Sequence, residues 1–165
     1  MPLLCLIVLS GCSFGSKQPA PPVLELDGRE CEVTFCNNTY TAEITLCNDN
    51  KTVIKFTSPE NIANTQYTLT NSGLEIELGS LAFSSESAHL PENSLPVVID
   101  CLLDDILSEN SLIYCGSTTD TKSGSQLALY NAAAENFDYT VKTDFESGMT
   151  KEIISEEKRL SIIFF

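Results

Sequence analysis

Between Arg29 and Leu78 apolar and polar residues alternate, and short polar turns break the alternation at close intervals. Successive side chains of a strand point to opposite faces, so a period of two with frequent turns specifies antiparallel sheet with one apolar face and one wet face. Cys31, Val33 and Phe35 alternate with Glu32, Thr34 and Cys36; beyond Asn37-Asn38, Tyr40, Ala42, Ile44 and Leu46 alternate with Thr41, Glu43, Thr45 and Cys47. A two-residue loop at Asn37-Asn38 sets Phe35 opposite Tyr40, Val33 opposite Ala42 and Cys31 opposite Ile44. A three-residue loop at Asn48-Asp49-Asn50, with Asn50 left-handed, places Ile44 beside Ile54 and Ala42 beside Phe56. Ser58-Pro59-Glu60 reads as a short helical turn. The next hairpin turns at Ser72-Gly73, pairing Leu69 with Ile76 and Tyr67 with Leu78 on the apolar face, and Thr70 with Glu75 and Thr68 with Glu77 on the wet one.

One segment breaks this period. Leu95, Val98, Ile99, Leu102, Leu103 and Ile106 recur at helical spacing, with Asp100, Asp104 and Asp105 largely opposite them. Ser94 or Asn93 suits the cap and Pro96 the first turn, which predicts a helix from about Ser94 to Ser108. The alternation then resumes in Ser111 to Cys115, Gln126 to Tyr130, Phe137 to Thr143, Met149 to Ser155 and Arg159 to Phe165, with breaks at Ser123-Gly124 and Ser147-Gly148. The order is sheet, helix, sheet: an α+β chain, mainly β.

The N-terminal segment is of another kind. Leu3 to Leu9 is an apolar run closing on Leu9-Ser10-Gly11-Cys12. It is far shorter than the ~20 residues that span a bilayer, and small residues follow an apolar core as at a secretory cleavage point. The junction resembles the lipobox of bacterial lipoproteins. That resemblance implies a signal peptide over 1–11, a diacylated Cys12 as the new first residue, and a protein held on the extracytoplasmic side of the cell membrane. Residues 12–27, with Lys17-Gln18-Pro19-Ala20-Pro21-Pro22, read as the lipidated cysteine and a flexible tether; 28–165 form one domain. With 23 acidic against 9 basic residues and a net charge of −14, the chain is a poor partner for nucleic acid or bare anionic lipid. Acyl chains rather than charge must hold it at a membrane.

Ile54-Lys55-Phe56-Thr57-Ser58-Pro59-Glu60, a following hairpin, and Leu90-Pro91-Glu92-Asn93-Ser94-Leu95-Pro96 opening a helix together resemble the LolA/LppX-like lipoproteins. The Thr143-Asp144-Phe145-Glu146-Ser147-Gly148 hairpin resembles the last hairpins of that group, so the likeness covers nearly the whole domain. It implies a curved antiparallel half-barrel with a helix packed on its concave apolar face, and a lipid or acyl chain held between them. The residues expected to line that space are Phe35, Tyr40, Ile44, Ile54, Phe56, Tyr67, Leu69 and Ile76 from the sheet, with Val98, Leu102 and Ile106 from the helix. The alternative is a structural or interaction lipoprotein, its helix filling the concavity as core and its acidic surface meeting another envelope protein.

Catalytic chemistry finds no support in the motifs. His89 is the single histidine and lies in a Ser- and Glu-rich stretch, as a solvated loop residue does. There is no Gly-rich phosphate loop, His-x-x-x-His or Cys-x-x-Cys, so neither a cofactor nor a metal is expected, and Asp100, Asp104 and Asp105 read as a solubilising face. The chain is therefore expected not to be an enzyme. Of the seven cysteines, Cys5 lies in the signal and Cys12 at the anchor. Cys31, Cys36, Cys47, Cys101 and Cys115 are an odd set without framework spacing, and are expected mostly as free thiols, Cys31 and Cys115 packing as small apolar groups.

Overall fold

A computed structural model describes residues 18–47, 51–70, 73–85, 90–108, 112–134 and 136–165. The expectations for Cys12, for the Asn48–Asn50 loop and for His89 lie outside them. The chain forms β1 (Arg29–Phe35), β2 (Asn38–Cys47), β3 (Lys51–Ser58), β4 (Thr65–Thr70), β5 (Gly73–Leu78), β6 (Leu81–Ser85), α1 (Leu95–Leu107), β7 (Ile113–Thr119), β8 (Gln126–Ala134), β9 (Phe137–Asp144), β10 (Thr150–Ser155) and β11 (Leu160–Phe164). The strands make one open, curved, wholly antiparallel sheet in the order β6-β5-β4-β3-β2-β1-β11-β10-β9-β8-β7. The pairing of β1 with β11 joins the two halves, and α1 is the connection between the two outer edges.

Alternation sorts the faces as expected. Val33, Ile162, Ile153, Val141 and Tyr130 are successive register partners from β1 through β11, β10 and β9 to β8, and all are buried. Ala42 and Phe56, and Ile44 and Ile54, are partners across β2 and β3, as their spacing predicts.

Two hairpin registers differ from the sequence reading by two residues. The first turn is Cys36-Asn37, both with positive φ (49° and 69°), so Val33 faces Tyr40 and Cys31 faces Ala42. Two positive φ values match the twist of a tight hairpin. Cys36, an uncommon residue there, is held by a hydrogen bond from its N–H to the Arg159 carbonyl at 3.0 Å. In the β4–β5 hairpin Tyr67 faces Ile76, Leu69 faces Leu74 and Thr68 faces Glu75. A slip of two returns every side chain to its own face, whereas a slip of one would invert it.

The helix forms where its spacing predicts it. Leu95, Val98, Ile99, Leu102 and Leu103 are buried in the same apolar cluster as Ile44, Ile54, Val141 and Ile162, and α1 contacts β4 and β8. Ser94 occupies the cap position, but its hydroxyl makes no capping bond.

The tether expectation needs correction. Residues 18–26 are docked on the domain. The Ala20 N–H donates to the Phe145 carbonyl (3.0 Å), the Val23 N–H to Gly148 (2.8 Å), and the Val23 carbonyl accepts from the Thr150 N–H (3.0 Å). Tyr130 Oη donates to the Ala20 carbonyl at 3.1 Å, and Leu26, 5% exposed, belongs to the core. Pro19, Pro21 and Pro22 preset the extended backbone such a strap needs, and Gly148 admits it: a Cβ there would lie 2.0 Å from the Pro21 carbonyl oxygen.

Candidate functional site

The expected ligand-lining residues fall into two groups. Ile44, Ile54, Val98 and Leu102 are at most 1% exposed, and Phe56 and Leu69 are buried as well. Phe35, Tyr40, Tyr67, Ile76 and Ile106 are half-buried and pack against that cluster. The first group meets other side chains on all sides and offers no open space. The second marks where cover runs out.

Cover runs out over β4, β5 and β6. Tyr40 meets Phe56 edge-on at 5.6 Å between ring centroids, and Phe56 meets Tyr67 edge-on at 6.0 Å. Tyr67 is the partner of Ile76, Ile76 of Phe83, and Leu78 of Leu81. The core face thus runs on unbroken to the β6 edge, while exposure climbs from 3% at Phe56 to 52% at Phe83, with Leu78 at 47% and Leu81 at 71%. The result is an apolar shelf, dry at its inner end and open to water at its outer end. Sequence reading supplied Tyr67 and Ile76 but missed Leu81 and Phe83. The only signal in Leu81-Ala82-Phe83-Ser84-Ser85 is two alternating apolar residues before a serine pair.

Two depressions lie elsewhere. One of about 980 Å³ sits on the opposite face of β7–β10, lined by Leu129, Thr140, Lys142 and Ile154 among others. Another of about 680 Å³ adjoins the β7–β8 turn, with Lys122, Lys142 and Lys151 among its lining residues. None of the expected ligand-lining residues borders either one. Lys142 is already neutralised by Glu152 at 2.7 Å.

The helix acids are not a simple solubilising face. Asp100 accepts a hydrogen bond from Thr52 on β3, yet burial holds its carboxyl above the usual range, with Asp104 adding repulsion. Burial raises Asp104 too. Asp105 accepts from Tyr139 Oη on β9 at 2.5 Å. Asp100 and Asp105 turn toward the sheet because strands from its two halves supply the Thr52 and Tyr139 hydroxyls that receive them, while Asp104 stays exposed.

A raised carboxyl pKa destabilises the fold where the group is ionised: stability falls as pH rises through the folded value and is unaffected below the unfolded value, where both states are protonated. Asn at position 100 keeps an acceptor for Thr52 without the charge. Asp100→Asn is therefore expected to melt above wild type at about pH 8 and to match it at about pH 3. Thermal melts across that range check it; an Asn variant less stable throughout would show the carboxylate to be favourable where it sits.

Cys31, Cys36, Cys47 and Cys115 are free thiols. Cys31 is fully buried, its pKa pushed up to about 12 by burial. Cys115, expected to pack inward, is exposed: the register shifts between Tyr114 and Gly116, a bulge that takes Cys115 out of the alternation. No group of three or more His, Cys, Asp or Glu suited to a metal occurs among the described residues.

No family model matches the chain, and no curated protein matches it. Among solved structures it is similar to an uncharacterized conserved protein from Thermus thermophilus, at 9% identity over 82% of this chain and 73% of that one, with a TM-score of 0.49. It is also similar to a putative outer membrane lipoprotein-sorting protein domain from Vibrio parahaemolyticus (10% identity, 83% and 68% covered, TM-score 0.44). A LolA superfamily protein from Nitrosomonas europaea aligns at 10% identity over 79% of this chain and 64% of its own, with a TM-score of 0.35. At these scores the fold description rests on the strand order and registers given above.

Proposed function

We propose that this chain is a non-enzymatic LolA/LppX-like lipoprotein, anchored through Cys12 on the extracytoplasmic side of the membrane, that binds an apolar ligand, a lipid or acyl chain, on the uncovered shelf of β4–β6. The observation that carries the reading is the shelf itself. Tyr67, Ile76, Leu78, Leu81 and Phe83 share the core's face, yet lose cover progressively toward the β6 edge. Ligand sites are concave and mainly apolar with few polar groups, and contiguous exposed apolar surface on a soluble domain marks binding.

The position of α1 supports the concavity. Strands β4 and β8, both in contact with α1, are separated in the sheet order by seven spacings, about 34 Å on a flat sheet at ~4.8 Å each. A 13-residue helix is only about 20 Å long. A sheet curved around the helix satisfies both contacts, while Leu78, Leu81 and Phe83 beyond β4 stay exposed.

The interaction-lipoprotein alternative draws on one observation of its own: Ile44, Ile54, Val98 and Leu102 are so fully buried that the space beneath the helix is core. The two readings separate on the shelf. Saturable binding of N-phenyl-1-naphthylamine is expected, weakened at least about tenfold by Phe83→Glu or Leu81→Glu, which corresponds to about 1.4 kcal/mol. Both side chains are exposed, so melting should shift by less than about 0.5 kcal/mol. Absence of saturable binding, or unchanged affinity in both variants, would remove the shelf and leave the interaction reading.

A further inference from the structure

The docked strap bears on orientation, an inference that rests on the anchor reading above. The antiparallel registers place the start of β1, the ends of β2, β7, β9 and β11, and the starts of β8 and β10 at one rim of the sheet. The strap enters at that rim, where Ala20 and Val23 bond to Phe145, Gly148 and Thr150, and it leaves along β2, where the Leu46 N–H donates to the Leu26 carbonyl at 2.9 Å. From Cys12 to Ala20 there are eight residue steps, a reach of about 28 Å at full stretch. The eight-residue β9 is about 25 Å long. Bringing the opposite end of the sheet to the bilayer would therefore need an almost fully extended chain, which conformational entropy opposes.

The rim is built as a surface in its own right. The β7–β8 and β9–β10 turns are copies of one device. In the first, Asp120 accepts from the Lys122 and Ser123 N–H groups and from Ser123 Oγ. In the second, Asp144 accepts from the Glu146 and Ser147 N–H groups and from Ser147 Oγ. The Gly124 and Gly148 N–H groups close the two turns on the Asp120 and Asp144 carbonyls. The turns lie side by side, with the Phe145 N–H donating to the Gln126 carbonyl at 3.0 Å. Lys122 and Lys151 stand in the depression beside these turns, next to the Asp120 and Asp144 carboxylates they interact with and the hydroxyls of Thr121 and Ser125. Phe165, 68% exposed, follows β11 at the same rim. Lysines, hydroxyls and an aromatic ring are groups that meet phospholipid headgroups at an interface.

We propose that this strap-bearing rim, led by the β7–β8 and β9–β10 turns, is the surface the domain holds against the bilayer, so that the Leu78–Leu81 end of the β5–β6 hairpin faces away from it. The test uses the chain from Cys12 onward, with Cys36, Cys47, Cys101 and Cys115 changed to Ser and buried Cys31 kept. It is coupled through Cys12 to phosphatidylcholine vesicles bearing a maleimide headgroup. Lysines are acetylated with an N-hydroxysuccinimide ester and read by mass spectrometry. Relative to uncoupled protein, Lys122 and Lys151 should lose labelling while Lys158, in the turn at the opposite end, keeps its rate. Equal loss at all sites, or loss centred on Lys158, overturns the orientation. Gly148→Val, which drives a side chain into the Pro21 carbonyl, should release the strap and abolish the selectivity in a protein that still melts cooperatively; selectivity surviving strap release also overturns it. The anchor is tested apart from this, by alkyne-fatty-acid labelling of the full chain in a bacterial host. Labelling that survives Cys12→Ser defeats the anchor reading and leaves the coupled-vesicle result untouched.

Discussion

Ile153→Asp is expected to unfold the domain, whereas the same substitution one residue on, Ile154→Asp, leaves it folded. Ile153 is fully buried, with Ile162 and Val141 as register partners on either side, both fully buried themselves. A carboxylate there has apolar neighbours on both strands. Leaving it unpaired costs several kcal/mol, the lost isoleucine adds about 2–5 kcal/mol, and a domain of this size is stable by only about 5–15 kcal/mol. Ile154 points to the opposite face, beside Ser161 and Thr140 and along the wall of the outer depression. Its substitution removes partly exposed surface and should cost about 1 kcal/mol or less. Circular dichroism melts of the pair decide it. Similar melting would mean that β10 does not present alternate faces in this register.

That pair also shows why faces were legible in the sequence while partners were not. Period-two alternation assigns each residue to a side whatever the turn, so misplacing the first turn at Asn37-Asn38 moved Val33 from Tyr40 to Ala42 without moving it off the core. Asn is the better left-handed residue on intrinsic grounds. The choice of Cys36-Asn37 instead is bound to a tertiary hydrogen bond, Cys36 N–H to Arg159, which no local rule contains. The helix was legible end to end because six apolar positions repeat on one side of it. Most of the strap was not, because Ala20 and Val23 dock through backbone N–H and carbonyl groups, and backbone bonds leave no pattern in residue type. Leu26 and Gly148 are its traces, and in sequence the first reads as an isolated apolar residue and the second as part of a turn. The shelf was half legible: Tyr67 and Ile76 alternate inside a long pattern, whereas Leu81 and Phe83 sit in a five-residue edge strand too short to establish a period.

The second large effect concerns Leu102, and it tests where the proposed ligand would sit. Leu102 is fully buried on the apolar side of α1, in one cluster with Ile44 and Ile54. Interiors are packed nearly as densely as organic crystals, so an indole in its place must displace neighbours already in contact. Overfilling costs about 1–3 kcal/mol and at times more, a fall in melting temperature of roughly 3–12 °C for a domain of this size. The shelf of Leu78, Leu81 and Phe83 is open to solvent while Leu102 is sealed off. Leu102→Trp should therefore lower the melting point and leave probe affinity of the folded fraction unchanged, the reverse of the result expected for Phe83→Glu. If the indole is accommodated without loss of stability and probe binding disappears, then the space under the helix is the binding site and the shelf is merely exposed edge. Opposite signatures from these two variants would place the proposed apolar ligand outside the packed core, where it could enter and leave without moving α1.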